Sequence, residues 1–426
     1  MKMSKYRWVV VSFAMLMGFV SYMDRVNLSV ATPVIMREFG FTKIDMGMMQ
    51  TAFFVAYAAF QIPGGMLAEY FGPRIVTSMA VAWWSVFTAM TGLCSSFTSF
   101  LGVRFAFGFG EGPIFPSLNT ANQKWFPNTE RSRAAGMMSC GAYIGPIVGP
   151  AIVVAIMMSW GWRAVFYIFG AVGLLLAVGY YYFVTDHPKD NRFVNRAELE
   201  HITEGAVAST GKKEVAPWGV FLRSPQFWAI AGEFFVTDYI TYVFLAWLPV
   251  YLMEAHGFSL QQMGYAASLP WVALTAGVLG TGYFSDRMLK AGMTKNKVRT
   301  SFGIIGLLVC CVGLIATAFT KDKWITVLWL TVAAGGLGPG FAVSWASCMD
   351  LGGKFTGTVS GWMNFWGNVG GVAAPITAAW IATHYGWGLV LTSTSAVAVV
   401  GAIFWLMVKP DKPLKIPEKV LSAVLV

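Results

Sequence analysis

Residues 8–31 read Trp8-Val-Val-Val-Ser-Phe-Ala-Met-Leu-Met-Gly-Phe-Val-Ser-Tyr-Met-Asp24-Arg25-Val-Asn-Leu-Ser-Val-Ala31. The run is long enough to cross a bilayer, which takes about 20 mostly apolar residues, yet it carries an acid and a base side by side. Lys2, Lys5 and Arg7 precede it, as they would a secretory leader, but no clear small-residue cleavage site follows. It reads as a retained first transmembrane helix whose N-terminus lies in the cytoplasm.

Working outward, the same reading from one charged or Pro/Gly break to the next gives eleven more such stretches. They cover residues 46–69, 75–95, 98–121, 132–157, 162–184, 226–252, 262–287, 299–320, 323–348, 355–383 and 386–408. The alternating ten-residue pattern of outer-membrane strands does not compete with them. The expected fold class is therefore all-α and integral to the membrane, with twelve transmembrane helices. Composition agrees: 56% of the 426 residues are hydrophobic and 12% charged, against about 25% charged in a soluble domain. A soluble enzyme, a disordered chain and a secreted disulfide scaffold are excluded. Cys94, Cys140, Cys310, Cys311 and Cys348 all lie in apolar stretches without metal-ligand spacing, so neither a zinc site nor a disulfide framework is indicated.

Most of the 30 Lys and Arg fall in alternate loops, the pattern expected of the cytoplasmic side with both termini inside. The net charge of +10 is then an orientation signal, and no nucleic acid is expected as a partner. The longest polar stretch, 185–225, divides the chain into an N-terminal six-helix bundle (1–184) and a C-terminal one (226–408), with a cytoplasmic tail over 409–426. Within it, 196–204 has the pattern of a short amphipathic helix lying on the inner membrane face. The halves echo one another. Gly65-Met-Leu-Ala-Glu69-Tyr-Phe-Gly72-Pro-Arg74 follows span 2 and Gly282-Tyr-Phe-Ser-Asp286-Arg287 closes span 8. Likewise Trp160-Gly-Trp162-Arg163 opens span 6 and Tyr385-Gly-Trp387 opens span 12. Two bundles related by pseudo-two-fold symmetry are what a rocker-switch carrier requires.

These loop signatures resemble the major facilitator superfamily. Further segments make the resemblance closer: 22–31, Gln61-Ile-Pro-Gly-Gly65, Arg104-Phe-Ala-Phe-Gly-Phe-Gly-Glu111-Gly-Pro-Ile-Phe-Pro116, Trp125-Phe-Pro-Asn-Thr-Glu130-Arg131 and Gly361-Trp-Met-Asn364. Together they are similar to the anion:cation symporter family, whose bacterial members carry galactonate, glucarate and hexuronates and whose animal relatives include sialin and the vesicular glutamate carriers. The resemblance implies a proton-coupled symporter importing a small organic anion, a sugar acid or related carboxylate. It also implies no cofactor beyond the coupling protons, and a monomer in the lipid bilayer of a bacterial inner membrane.

Four charges lie at membrane depth in the first half: Asp24 and Arg25 on span 1, Arg104 and Glu111 on span 4. Each costs about 2.5–3.5 kcal/mol on insertion scales and marks function by default. Arg104 and Glu111 stand seven residues apart, two helical turns, and share a face. Spans 1 and 4 are expected to face a central cavity where Asp24 reaches Arg104. Two acids and two bases sum to zero, so the same four residues also fit a structural ion-pair cluster. In the functional reading, protonation of Asp24 and Glu111 frees Arg25 or Arg104 for a substrate carboxylate. The resemblance assigns proton sites to Asp24 and Glu111, and substrate binding with charge coupling to Arg25 and Arg104. It carries over Tyr57, Trp345 and Asn364 as substrate contacts; ordinary packing is the alternative for each.

Some positions depart from the family. Ala142 stands where sugar-acid carriers commonly place Gln, and Glu233 and Asp238 on span 7 stand where relatives tend to be neutral. Those two carboxylates either stay protonated, face water, or read substrate hydroxyls or a cationic group; Asp238 is taken as a substrate contact. The departures weigh against galactonate and leave the acid-carrier class. Asp350 and Lys354 read as a structural pair four residues apart. Glu69, Arg74, Asp286 and Arg287 are, by the resemblance, a conformational latch. A membrane enzyme is the first rival, but His187, His201, His256 and His384 are scattered without motif spacing and no nucleophile has an evident base. A proton-driven exporter or a uniporter is the rival within transport.

Overall fold

The computed structural model describes residues 3–127, 129–203 and 216–414. In chain order the helices are α1 (Arg7–Phe39), α2 (Lys43–Phe71), α3 (Pro73–Thr91), α4 (Phe97–Glu111), α5 (Ile114–Trp125), α6 (Arg131–Trp160), α7 (Trp162–Phe183), α8 (Arg196–Thr203), α9 (Trp218–Phe221), α10 (Pro225–His256), α11 (Leu260–Ala266), α12 (Leu269–Lys290), α13 (Lys295–Phe319), α14 (Lys323–Gly352), α15 (Thr356–Tyr385) and α16 (Trp387–Met407). Every stretch expected to span the membrane is helical. Two of them are broken.

The stretch 98–121 is α4 followed by α5, because Pro113 has no N–H to give the carbonyl four residues back. Gly112 (φ −51°, ψ −46°) and Pro113 (φ −65°, ψ −17°) keep helical dihedrals, so the chain bends there and does not stop. The stretch 262–287 is α11 and α12, and Pro270 lies just past that break. Among the described residues nine helices have the length and hydropathy to cross a membrane. The spans that fall short are α3, the broken α4–α5, and α15, whose middle carries Asn364 and Asn368.

Helix starts are fixed locally. Thr42 Oγ1 accepts from the Asp45 amide at 3.2 Å while Asp45 Oδ2 accepts from the Thr42 amide at 2.8 Å, a reciprocal cap. Asp322 Oδ1 accepts from both Trp324 and Ile325 amides at 2.9 Å and opens α14 in the same way.

Contacts divide the chain into two units. One is Met1–Ala208 with Ser259–Ser268; the other is Ser209–Phe258 with Leu269–Val426. The division falls inside the polar stretch 185–225, of which 204–215 lie outside the described residues, as do 415–426 of the tail. The short α11 groups with the first unit and away from its own chain neighbours.

In the first unit α1 lies against α6, where a Cβ on Gly141 would overlap the Met15 carbonyl. In the second, Gly306 of α13 and Gly336 of α14 face one another: a Cβ on either would come within 2.5–2.6 Å of the other's carbonyl oxygen. Small residues let helix backbones approach closely where lipid offers no hydrophobic driving force between helices. Each unit buries its own aromatic core, Trp84, Trp125 and Phe107 in the first, Trp247, Trp405 and Phe227 in the second.

Candidate substrate and proton site

The four intramembrane charges of the first unit are all enclosed. Asp24 is 1% exposed, Arg25 5%, Arg104 4% and Glu111 0%. Arg25 Nη2 lies 2.7 Å and Nε 2.9 Å from Oε1 of Glu111, and Ser21 Oγ donates to the same oxygen. Ser21 and Arg25 are one helical turn apart on α1, so both reach across to α4. The other oxygen, Oε2 of Glu111, has no hydrogen-bond partner. The Arg25 guanidinium also lies 4.8 Å from the ring centres of Tyr22 and Tyr57 and 5.1 Å from Phe53. Three aromatic faces thus wrap a paired cation, an attraction of about 0.5–2 kcal/mol each.

Asp24 does not pair with Arg104 as expected. Its Oδ1 accepts from Asn27 Nδ2 at 3.0 Å and its Oδ2 from Thr88 Oγ1 at 3.2 Å. The carboxyl of Asp24 is directed to α3, whose Thr88 supplies a neutral donor. Arg104 is held between apolar rings, 4.5 Å from the Phe107 centre and 5.0 Å from Phe53. Its Nε has no partner, and among the described residues it makes no ion pair. The four charges therefore assemble as the sequence spacing implies, but Glu111 takes Arg25, while Arg104, on its own helix, is left without an acid.

Sequence reasoning missed three contributors: Ser21, Thr88 and Phe53. Ser21 and Phe53 were legible in principle, since each sits four residues before a singled-out residue, Arg25 and Tyr57. Thr88 carried no signal, being one of many hydroxyls in apolar spans with nothing in sequence to tie it to Asp24. Tyr57 itself is buried beside Arg25.

In the second unit, Asp238 of α10 is nearly buried, and its Oδ2 occupies the space that a Cβ on Gly367 of α15 would fill. Asn364 is half-buried, and its backbone carbonyl accepts from Asn368 Nδ2 at 2.8 Å. Trp345 is 45% exposed and packs edge-to-face on Phe234 with ring centres 5.9 Å apart. Glu233 is fully buried, and neither of its oxygens has a hydrogen-bond partner.

The residues assigned to a latch lie at helix ends. Arg74 is tied within its own unit: its Nε donates to the Tyr181 carbonyl at 2.7 Å, its backbone N–H to Asp186 at 2.9 Å, and its guanidinium stacks 4.3 Å from the Tyr181 ring. Glu69, Asp286 and Arg287 are exposed. The expected Asp350–Lys354 pair involves a side chain, that of Lys354, outside the described residues. Asp350 pairs with Lys295 Nζ at 2.7 Å and Arg299 Nε at 3.5 Å, both on α13. The α-helix ends at Gly352 and is followed by a 3-10 turn over Gly353–Phe355.

A second network was not anticipated. Glu198, on the short helix α8, accepts from the backbone amides of Tyr6 at 2.9 Å and Arg7 at 3.1 Å, from Ser4 Oγ at 2.6 Å and from Arg7 Nη1 at 3.0 Å. It caps the start of α1 from 191 residues away. Arg7 Nε pairs in turn with Glu130 at 2.8 Å, and His201 lies 3.3 Å from the same carboxylate. Burial pushes Glu198 up, but the bonds from Ser4, the two amides and Arg7 outweigh it and hold its carboxyl below the usual glutamate value. The bond from Arg7 holds Glu130 low as well. Glu198 and Ile202 are the buried positions of α8, while Arg196, Glu200 and Thr203 are exposed.

Comparison with known proteins follows the same line. A family model described as Major Facilitator Superfamily matches residues 14–375. The "Probable sulfoacetate transporter SauU" of Cupriavidus necator is 33% identical, over 97% of this chain and 96% of that protein. The "D-galactonate transporter" of Escherichia coli O6:H1 is 30% identical, over 92% and 93%. The "Probable galactarate/D-glucarate transporter GudP" of Bacillus subtilis is 30% identical, over 96% and 94%. A bacterial homolog of the human lysosomal transporter Spinster, solved inward-facing and occupied, superposes with a TM-score of 0.79 at 19% identity, covering 95% of this chain and 97% of that one. That last likeness concerns the fold alone. With a family match across most of its length and relatives aligned nearly end to end, the chain belongs to the major facilitator superfamily, a family of membrane transporters and not of enzymes.

Proposed function

We propose that the protein is a proton-coupled symporter that imports a small organic anion, a sugar acid or related carboxylate, by alternating access. The observation that carries this reading is Arg104, a buried guanidinium with no acidic partner beside an Arg25 that already has one. A lone buried cation is costly, and an anionic cargo supplies the missing charge through two parallel N–H···O bonds. The relatives named for sulfoacetate, galactonate and galactarate or glucarate support an acid as cargo.

Asp24 and Glu111 are the proton-coupling groups, with Arg104 linking them to the substrate. With both acids ionised the cluster sums to zero. When both take protons, Glu111 releases Arg25, and two guanidinium groups then face the cargo. Asp24 is suited to the exchange because its partners are neutral. The Thr88 hydroxyl can donate to a carboxylate or accept from a carboxylic acid, so a proton can come and go without breaking an ion pair. Cargo and protons stabilise the same loaded state; half-loaded states carry bare charge across a low-dielectric barrier. Arg25, Arg104, Tyr57, Trp345, Asn364 and Asp238 recognise the cargo. Glu69, Arg74, Asp286 and Arg287 bias the conformation. The protein works as a monomer in a bacterial inner membrane, both termini cytoplasmic, with protons as its only coupling ion.

The test is flux in proteoliposomes. An inward acid gradient drives accumulation of D-galactonate, sulfoacetate or another small organic acid by the wild type. Asp24→Asn loses that accumulation and keeps exchange of labelled for unlabelled substrate. Accumulation that persists undiminished in Asp24→Asn overturns the proton role; a wild type that takes up no organic anion overturns the whole reading.

A further inference from the structure

Beyond this cluster, one intramembrane acid is left unexplained. Glu233 sits on α10 with no exposed surface, no hydrogen-bond partner on either oxygen and, among the described residues, no ion pair. Ser344 of α14 and the Trp405 indole of α16 lie against it. Their hydrogen-bonding capacities restrict what Glu233 can be. Ser344 Oγ already donates to the Gly340 carbonyl at 2.7 Å, so toward Glu233 it has only lone pairs to offer. Trp405 Nε1 is a donor without a partner. A carboxylate finds one donor here and no counter-charge. A carboxylic acid can give its O–H to Ser344 and accept at its carbonyl from Trp405, and it spares the bundle a bare buried charge.

The acidic and thiol groups facing it are Asp238 on α10 and Cys348 on α14. α15 carries no acidic or basic side chain before His384, and α16 carries none. Asp238, five residues on along α10, is the less enclosed of the two acids, 8% exposed against none for Glu233.

We infer that Glu233 is a third proton-binding residue, in the carboxyl-terminal unit, which loads and releases one proton in each transport cycle. This rests on the proton-coupled reading above and adds one proton to the ratio that Asp24 and Glu111 would set.

The experiment measures the ratio of protons to substrate in proteoliposomes, from the pH gradient needed to hold a given gradient of whichever anion, D-galactonate or sulfoacetate, the wild type accumulates. Glu233→Gln remains gradient-driven, and its ratio falls by one proton per substrate. An unchanged ratio overturns the inference and leaves the role of Asp24 intact. Loss of coupling in Asp24→Asn alongside a lowered ratio in Glu233→Gln supports both. Should Glu233→Gln fail to fold or to transport, labelling of the wild type decides. N,N′-dicyclohexylcarbodiimide attacks protonated carboxyls, and peptide mapping reads Glu233 directly. Labelling that falls as the pH rises fits a cycling site. Labelling that is constant, or absent, overturns it.

Discussion

Nε and Nη2 of Arg25 both donate to Oε1 of Glu111, at 2.9 and 2.7 Å, and leave Oε2 of that carboxylate bare. The contact is therefore one oxygen against two donors and not the fork-to-fork arrangement that saturates a carboxylate. The spare oxygen is fully enclosed, since Glu111 has no exposed surface.

Buried pairs are sensitive to the loss of one member. Arg25→Met leaves Glu111 enclosed without its cation and is expected to destabilise the protein by about 3–5 kcal/mol. The double variant Arg25→Met/Glu111→Leu should recover most of that loss, since two apolar side chains fill the same space without a charge. Thermal unfolding in detergent reads both. A double variant no more stable than Arg25→Met would show that the pair is not the energetic unit.

Arg104 should behave in the opposite way. Having no acidic partner to strand, Arg104→Met is expected to unfold no more easily than the wild type, yet to lose uptake. Arg104→Lys keeps the charge and loses the fork. With a charge-assisted hydrogen bond worth about 1.5–3 kcal/mol, and about 1.4 kcal/mol per tenfold in affinity, binding should weaken roughly 10–100-fold. The stabilising shift in melting temperature that the transported anion produces measures it. A Met variant that melts far below the wild type would make Arg104 a structural group.

The pH dependence of stability should report Glu198. Its folded-state value lies below the ordinary glutamate value, so the ionised form is favoured by folding. The stabilisation is complete above the unfolded-state value and is lost as the pH falls through the lowered folded-state value. At neutral pH Glu198→Gln should cost about 1.5–3 kcal/mol, and its melting curve should converge on that of the wild type in acid. Hydrogen exchange at the amides of Tyr6 and Arg7 should rise in the variant at neutral pH. A gap between the two proteins that stays constant across the acid range would remove Glu198 as its cause.

The spans were readable because crossing lipid demands one thing of every stretch, enough consecutive apolar residues. The breaks at Gly112–Pro113 and before Pro270 were not, because neighbouring helices satisfy the freed carbonyls in a packed bundle and the apolar run continues through them. Membership of the charged cluster was readable for a related reason: an acid or base at that depth is too costly to be incidental. The pairing was not. Whether Asp24 meets Arg104 or Thr88 depends on how α1, α3 and α4 are rotated about their axes, and spacing along one helix says nothing about the phase of another. Glu198 was hidden more thoroughly. Two of its partners are backbone amides at the start of α1, which leave no mark in a sequence, and the other two, Ser4 and Arg7, lie more than 190 residues away.

The cap that Glu198 places on Tyr6 and Arg7 closes over 191 residues of chain. During synthesis the opening turn of α1 leaves the ribosome well before α8, and the residue that satisfies its amides is made only after five further long or broken helices have been translated. The opening turn of α1 is thus completed only after the helices up to α7 have been made. A chain arrested before residue 196 would hold its first apolar segment in the bilayer with a frayed leading end, and release of α8 marks the moment at which the amino terminus is set.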